Sequence, residues 1–316
     1  MILSIIFLIF GFVILIKGAD VFVDGAASLA RNFKLSAMFI GLTIVSFGTS
    51  APEFAVSIQS LLNNNGDIIL GNVIGSNILN ILLILGISAL FHDLLVKDNT
   101  VRKELPITLM LSILLVVMMN DMIFGLGDNN FSRQDGVILI LFFSVFIYYL
   151  ISMMKNKVEE NPEEPIKYNI PKSIIFIAIG LVAIIFGSKF VVDSASDIAT
   201  YLGVSQRIIA LTIVALGTSL PELVTSVAAT RKGEYDIAIG NVVGSNIFNI
   251  GIVLGLPVSI LGGVEHISFS EIELLFFVLS ALALFLFALK DRKISKREGI
   301  ILLLMFIVYY SYVVFS

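Results

Sequence analysis

Long apolar runs alternate with short polar segments along almost the whole chain, and soluble domains do not show this pattern. Ten of the runs approach the ~20 residues that an α-helix needs to cross the hydrocarbon core of a bilayer. The first run lacks a basic leader and an obvious cleavage site, so we expect it to remain as a helix. The sequence therefore predicts an all-α polytopic membrane protein with ten transmembrane helices, at approximately residues 2–18, 36–62, 68–91, 105–120, 135–154, 173–192, 207–230, 237–261, 270–289 and 299–315.

The loops between these predicted helices differ in positive charge. Loops one, three, five, seven and nine hold 16 Lys and Arg residues, whereas the even-numbered loops hold two, Arg133 and Arg207. Positively charged loops remain in the cytoplasm. The asymmetry supports ten spans in the cell membrane and predicts that both termini lie outside. The longest polar segment, residues 155–172, is then a cytoplasmic linker and not a folded domain.

Composition narrows the possible chemistry. The chain is 58% hydrophobic and 14% charged, which makes the bilayer its solvent. It contains no cysteine, so thiolate catalysis and thiolate metal sites are excluded. His92 and His266 both fall in predicted loops, where we interpret them as solvated polar residues. A net charge of −4 gives no indication of nucleic-acid binding, and no protein partner is implied.

The two halves of the chain repeat each other. Residues 41–86 align without a gap on residues 210–255, with 23 identities in 46 positions. Each half, 1–154 and 173–316, contains five predicted spans, so the second half must enter the membrane from the opposite side. The sequence predicts one membrane domain built from two inverted repeats, an organisation typical of secondary transporters.

Each repeat interrupts an apolar helix with proline, in the segments GTSAPE (48–53) and GTSLPE (217–222). Proline has no N–H and crowds the carbonyl four residues earlier. We therefore expect free carbonyl groups at Gly48 and Gly217. In hydrocarbon, such a group requires a partner, and a cation or a water molecule can provide one.

A carboxylate follows each proline. Placing an acid at the centre of the membrane costs on the order of 3 kcal/mol, so Glu53 and Glu222 are predicted to be functional. Helical spacing puts further polar groups on the same faces. These faces comprise Ser46, Thr49, Ser50 and Glu53 in the first repeat, and Ala215, Thr218, Ser219 and Glu222 in the second. The neighbouring segments GNVIGSNILN and GNVVGSNIFN add Asn72, Ser76 and Asn80, and Asn241, Ser245 and Asn249.

Together these groups predict an oxygen-only site with a charge of −2 from its two carboxylates. Oxygen ligands suit hard cations such as Ca²⁺ or Na⁺. One Ca²⁺ neutralises the site, as do two Na⁺ or two protons. For each single Ser, Thr or Asn, an ordinary hydrogen bond between membrane helices is the alternative interpretation.

The paired motifs GTSAPE and GNVIGSNILN, and GTSLPE and GNVVGSNIFN, resemble the two alpha-repeats of the calcium/cation antiporter superfamily. The resemblance covers essentially the whole chain and is greatest to the prokaryotic sodium/calcium exchangers. The calcium/proton exchanger branch resembles the chain less, because its repeats have Gly-Asn-x-x-Glu in place of Gly-Thr-Ser-x-Pro-Glu. The resemblance implies ten helices with broken helices at the centre, and a pair of long helices, marked by Gly18 and Gly187, that slides across the core.

The resemblance also implies roles for individual residues. Glu53 and Glu222 match the Ca²⁺ ligands of the family, completed by the backbone carbonyls of Thr49 and Thr218. Flanking Na⁺ sites are implied for Ser50, Ser76 and the Ala215 carbonyl, and for Ser219, Ser245 and the Ser46 carbonyl. Asn80 and Asn249 match an inner polar pair. Some relatives carry Asp at the position of Asn249, and its absence here removes a third charge.

These observations predict a secondary active antiporter that exchanges Na⁺ for Ca²⁺ by alternating access, with the ions as its cargo and no cofactor. Exchange of Ca²⁺ for H⁺ is the principal alternative. A cation channel could use the same ligands, but it does not need inverted repeats. An intramembrane hydrolase with Glu53 and Glu222 as an acid/base pair finds no further support, since no histidine falls in a predicted span.

Overall fold

A computed structural model describes residues 1–63, 65–121, 129–155, 166–205, 209–264 and 269–315. The described residues are almost all helical. The helices of the first half are α1 (Ile2–Phe33), α2 (Ala37–Ile40), α3 (Ser46–Thr49), α4 (Ala51–Leu62), α5 (Gly66–Leu79), α6 (Gly86–Phe91), α7 (Leu105–Met118) and α8 (Arg133–Lys155). Those of the second half are α9 (Ile170–Tyr201), α10 (Ala215–Thr218), α11 (Leu220–Arg231), α12 (Tyr235–Phe248), α13 (Gly255–Leu261), α14 (Glu271–Asp291) and α15 (Lys296–Phe315).

In the described part of the chain five π-helical turns lie between these helices, and in each the backbone accommodates an extra residue per turn. The turns are π1 (Gly41–Val45), π2 (Asn80–Leu85), π3 (Thr100–Glu104), π4 (Ala210–Val214) and π5 (Asn249–Leu254). Turns π1 and π4 occupy equivalent positions of the two repeats, which are 169 residues apart, and so do π2 and π5. The sequence analysis did not predict them. Because π turns are frequent at functional sites, their repetition directs attention to the segments that they join.

Seven helices of the described chain are long and apolar enough to cross a membrane, and two bent helix pairs raise that number to nine. The bent pairs are the predicted broken spans. Residues 37–49 and 51–62 meet at 46°, and residues 212–218 and 220–231 meet at 57°. In both pairs proline occupies the first turn of the second helix. A backbone N–H in this turn would have no intrahelical acceptor, so the absence of the proline N–H costs no hydrogen bond. The chain is therefore a multi-pass membrane protein.

The predicted bounds of the first and sixth spans, 2–18 and 173–192, are wrong. Both α1 and α9 contain 32 residues and continue well beyond the apolar runs. Hydropathy does not determine where a helix ends; backbone hydrogen bonding and capping do. At the end of α1 the cap residue Lys34 adopts a left-handed conformation with φ of 54°. The predicted linker at 155–172 is described only at Lys155 and from residue 166 onward, where α9 already begins at Ile170.

Helices α1 and α9 pack tightly along their length. They run antiparallel, because Gly11 lies against Gly187 while Gly25 lies against Ser173. Small residues recur every seven positions on both helices, which allows the two backbones to approach closely. A Cβ added at Gly18 would come within 2.8 Å of a side-chain atom on α9. The two helices therefore form one interlocked unit.

The core lies around α5 and α12, and every residue of α12 from Ile237 to Phe248 is buried. A short antiparallel ribbon of β1 (Leu94–Leu95) and β2 (Lys293–Ile294) connects two of the positively charged loops. Helix α11 is largely buried, whereas α4 buries one face, which carries Glu53, Ser57 and Ser60.

Candidate cation site

The two acidic residues predicted from the motifs occupy equivalent places. Glu53 lies in the first turn of α4 and Glu222 in the first turn of α11, directly after each break. Each is 1% exposed. The first turn of a helix exposes unpaired N–H groups and a partial positive charge, which favour an anion. The two carboxyl groups are close enough for their charges to repel each other.

Glu222 receives contacts from both repeats, because Ser245 Oγ of its own repeat lies 3.5 Å from Glu222 Oε1. Ser50 Oγ donates to Glu222 Oε1 at 2.9 Å and also lies 2.9 Å from Ser245 Oγ. Thr49 lies beside the same carboxyl group. The sequence analysis assigned Ser50 and Ser245 to opposite Na⁺ sites, but the structure brings them into contact, so the two assigned sites border each other.

Glu53 has the mirrored surroundings but without the hydrogen bonds. Thr218 and Ser219 lie beside its carboxyl group. Both carboxyl oxygens of Glu53, Oε2 of Glu222 and Oγ of Ser219 are buried and find no hydrogen-bond partner in the described part of the chain. Oxygens in this condition are costly to bury unless a cation or another polar group satisfies them. The arrangement is chemically suited to hold a cation.

A second set of amides supports the backbone of the acidic residues. Asn72 Nδ2 donates to the Glu53 carbonyl at 3.1 Å, and Asn241 Nδ2 donates to the Glu222 carbonyl at 3.3 Å. Thr49 Oγ1 donates to Asn241 Oδ1 at 3.0 Å. The hydroxyl of Thr49 therefore already has a partner within the protein.

The expectation of a free carbonyl at Gly217 is wrong. Ser188 Oγ of α9 donates to the Gly217 carbonyl at 2.9 Å, because the sharp bend turns this carbonyl toward the neighbouring helix. Position 19, the counterpart of Ser188, is alanine. The carbonyls of Gly48 and Gly217 also face the backbone N–H groups of Ser50 and Ser219, respectively. The proline breaks thus serve mainly to place the carboxylates at helix N-termini.

Sequence reasoning also missed two asparagines. Asn80 and Asn249, which it selected, are buried, and each donates its amide to a residue that it did not select. Asn80 Nδ2 donates to Asn246 Oδ1 at 2.9 Å, and Asn249 Nδ2 donates to Asn77 Oδ1 at 3.0 Å. The signal was available, since both missed residues belong to the repeated GSN triplet.

The two repeats differ in how tightly they close around the site. Gly240 and Gly244 of α12 lie against π1 and α3, and a Cβ on Gly244 would meet Ser46 Oγ at 2.7 Å. Their counterparts on α5 are Gly71 and Gly75. No described atom lies within 4 Å of a Cβ placed on Gly75. Among the described residues the flank of the site at Gly244 is therefore closely packed, and we call it the closed flank; the equivalent flank at Gly75 is loosely packed, and we call it the open flank.

Exposure of the broken helices follows the same asymmetry. Val45 and Ser46 are buried on the closed flank, whereas Val214 and Ala215 are exposed. The closed flank also carries ion pairs at the end of α1. Asp24 pairs with Lys167 at 2.6 Å and with Lys232 at 2.8 Å, and Arg31 pairs with Glu234 at 2.6 Å.

The donor set of the site consists of oxygen atoms. In the described ranges no group of three His, Cys, Asp or Glu residues is placed to hold a metal. Two carboxylates surrounded by hydroxyl, amide and carbonyl oxygens are ligands for hard cations. Buried at the breaks of two repeated membrane helices, such a site is typical of secondary transporters of inorganic cations.

Comparison with known proteins identifies the family. Residues 3–152 and 172–315 match the family described as sodium/calcium exchanger protein, and the chain belongs to this family. It is 31% identical to the sodium/calcium exchanger MaX1 of Methanosarcina acetivorans, with 96% of each chain covered. It is 37% identical to inner membrane protein YrbG of Escherichia coli K12, over 86% of this chain and 84% of that protein. A solved structure of the sodium–calcium exchanger NCX_Mj, soaked with Na⁺ and Ca²⁺, superposes with a TM-score of 0.83 at 34% identity and covers 98% of both chains.

Proposed function

We propose that this protein exchanges Na⁺ for Ca²⁺ across the cell membrane by alternating access. The observation that carries the proposal is the pair of buried carboxylates, Glu53 and Glu222, with three of their four carboxyl oxygens unpartnered in the described chain. A site with a charge of −2 and neutral oxygen ligands accepts one Ca²⁺ or two Na⁺, which makes competition between these ions a natural consequence.

The proposed architecture is ten transmembrane helices in two inverted repeats of five, 1–154 and 173–316, joined by the linker 155–172. The antiparallel packing of α1 and α9 supports inversion, because the two helices occupy equivalent places in the repeats. The distribution of Lys and Arg supports external termini and a cytoplasmic linker. With this orientation the closed flank faces the cytoplasm and the open flank faces outward.

We assign the cargo as follows. Ca²⁺ is held by Glu53 and Glu222 with the carbonyls of Thr49 and Thr218. Na⁺ is held at the flanks of the Ca²⁺ position, where the candidate ligands are Ser50, Ser76 and the Ala215 carbonyl, and Ser219, Ser245 and the Ser46 carbonyl. Asn80 and Asn249 contribute amide oxygens.

Obligatory exchange follows from the charges. An empty site keeps two like charges in a low-dielectric interior with no counter-ion, which is costly. Only the loaded protein then passes readily between its outward-facing and inward-facing forms. The interlocked pair α1 and α9 borders both broken helices, and its sliding across them provides the movement.

One experiment distinguishes Na⁺/Ca²⁺ antiport from Ca²⁺/H⁺ exchange and from a cation channel. The purified protein is placed in liposomes loaded with Na⁺, and ⁴⁵Ca²⁺ uptake is measured after dilution into choline. Antiport predicts uptake that depends on internal Na⁺ and stops when the Na⁺ gradient is abolished. A Ca²⁺/H⁺ exchanger would follow an imposed pH gradient instead, and a channel would pass Ca²⁺ without any counter-ion. Either of the last two results would overturn the proposal.

A further inference from the structure

Four buried asparagines interlock the two repeats at the centre of the protein. Asn77 and Asn246 donate to each other's backbone carbonyls, at 3.1 Å and 3.3 Å. Asn80 donates to the side-chain oxygen of Asn246, and Asn249 donates to that of Asn77. All four bonds cross between the repeats. They form two symmetric pairs, because exchanging each residue for its counterpart in the other repeat, 169 positions away, converts one bond of a pair into the other.

This pattern fixes the orientation of each amide. Because the nitrogen of Asn246 is bound to a carbonyl, its oxygen must face Asn80. An oxygen can only face a donor, so Asn80 must present its nitrogen to Asn246. Its own oxygen is then turned the other way. The same reasoning, with Asn77 in place of Asn246, turns the oxygen of Asn249.

The two oxygens that remain are unsatisfied. Oδ1 of Asn80 and Oδ1 of Asn249 are buried, and neither has a hydrogen-bond partner among the residues described. Asn80 begins the turn π2, which packs against the helix that carries Glu222, and Asn249 begins π5, which packs against the helix that carries Glu53. Each unpartnered amide oxygen thus belongs to an element that adjoins a carboxylate helix.

We propose that Asn77 and Asn246 are positioning residues that hold the amide oxygens of Asn80 and Asn249 toward the cation. The inference rests on the proposed function and deepens it. Without its partner, an asparagine amide can rotate and present its NH₂ group, which repels a cation. Asn77 and Asn246 act only through their neighbours and do not themselves contact the ion.

The test uses an aspartate that cannot be misoriented, because both of its terminal atoms are oxygens. Ca²⁺ affinity is measured by ⁴⁵Ca²⁺ binding to the purified protein for Asn246→Leu, Asn80→Asp and the double variant. We expect Asn246→Leu to weaken affinity by about tenfold when Asn80 is present, the lower end of outer-shell effects on metal binding. When Asp occupies position 80, its carboxylate faces the oxygen of Asn246 with a second acceptor. We therefore expect the same substitution to leave affinity within about twofold or to raise it, since either carboxylate oxygen serves as a ligand and the opposed oxygen is removed.

The matched control is Asn32→Leu. Asn32 also bridges segments with its amide, donating to the carbonyls of Ser28 and Tyr168 at 2.7 Å, but it lies at the end of α1 away from the carboxylates. Its removal should leave Ca²⁺ affinity unchanged while it alters the unfolding temperature. If Asn246→Leu does not fold, Asn246→Ser replaces it, because a serine hydroxyl is too short to reach Asn80. The mirrored set, Asn77→Leu with Asn249→Asp, gives an independent measurement.

Affinity losses of equal size with Asn and with Asp at position 80 would show that Asn246 is merely structural, and the inference would be overturned. So would an Asn246→Leu protein that binds Ca²⁺ as the Asn32 control does. Failure of the proposed function looks different. In that case the unmodified protein does not bind Ca²⁺, or Glu53→Gln binds it normally.

Discussion

The unequal packing of the repeated glycines makes a prediction about the two access states. In the structure a Cβ on Gly244 would lie 2.7 Å from Ser46 Oγ and 2.9 Å from Leu42 Cα, whereas a Cβ on Gly75 meets nothing described within 4 Å. If the repeats exchange roles during transport, Gly75 becomes the tightly packed position and Gly244 becomes the open one. Gly244→Ala then disfavours the present state, and Gly75→Ala disfavours the opposite state.

The magnitude follows from the cost of overpacking. Inserting a methyl group into a well-packed contact costs typically about 1–3 kcal/mol. Because this cost falls on one state only, it changes the ratio of the two states by about 5-fold to 150-fold. The two alanine variants should therefore shift the equilibrium in opposite directions by comparable amounts, although both substitutions are chemically identical.

The chain contains no cysteine, so single reporters can be introduced without a background. Val45 and Val214 are equivalent positions of the two repeats, with exposures of 0% and 46%. Labelling of Val214→Cys by a membrane-impermeant maleimide reports the present state, and labelling of Val45→Cys reports its opposite. Gly75→Ala should slow labelling at position 45, and Gly244→Ala should accelerate it while slowing labelling at position 214. Shifts in the same direction, or no shift in either variant, would refute the role exchange of the glycines.

Three further outcomes are expected. Glu53→Gln or Glu222→Gln keeps the shape of the site but removes one of two charges, so Ca²⁺ uptake into proteoliposomes should be nearly abolished while the unfolding temperature is retained; normal uptake would contradict the site. Apparent Ca²⁺ affinity should fall as the pH is lowered from about 8 to about 5, because carboxylate ligands must be deprotonated to bind a metal; a flat profile would exclude competition by protons. Na⁺-driven Ca²⁺ uptake should be equal in K⁺ and in choline because Asn249 is neutral. Asn249→Asp should change the cation dependence, since it adds a third negative charge and replaces the amide donor that bonds Asn77 Oδ1 with a carboxylate oxygen. An absolute requirement for K⁺ in the unmodified protein would show that Asn249 does not determine the counter-ion.

The broken helices and their acids could be predicted from sequence because both signals are local. Pro52 and Pro221 determine where a helix restarts, and a carboxylate in an apolar run is informative without any knowledge of its neighbours. The repeat strengthened both predictions. Fold class and family followed from the same motifs.

Features that depend on contacts between the repeats could not be predicted in this way. Nothing in the sequence distinguishes Asn77 from Asn80, because both are asparagines in one motif and their roles depend on the residues opposite. The five π-helical turns in the described part of the chain have no distinctive residue composition by which they could be predicted. The full lengths of α1 and α9 were missed because both helices continue into polar segments, which hydropathy does not assign to a span; at the end of α1 these polar residues form ion pairs.

The ion pairs at the end of α1 have a consequence for the energetics of the transport cycle. Lys232 and Glu234, which pair with Asp24 and Arg31, correspond to Asn63 and Asn65 in the other repeat. Closing the opposite flank therefore brings no equivalent charges together. Partly exposed ion pairs contribute up to about 1 kcal/mol each, and salt weakens them. Higher ionic strength on the side of the linker should consequently shorten the lifetime of the present state. The same salt on the other side of the membrane should leave that lifetime unchanged.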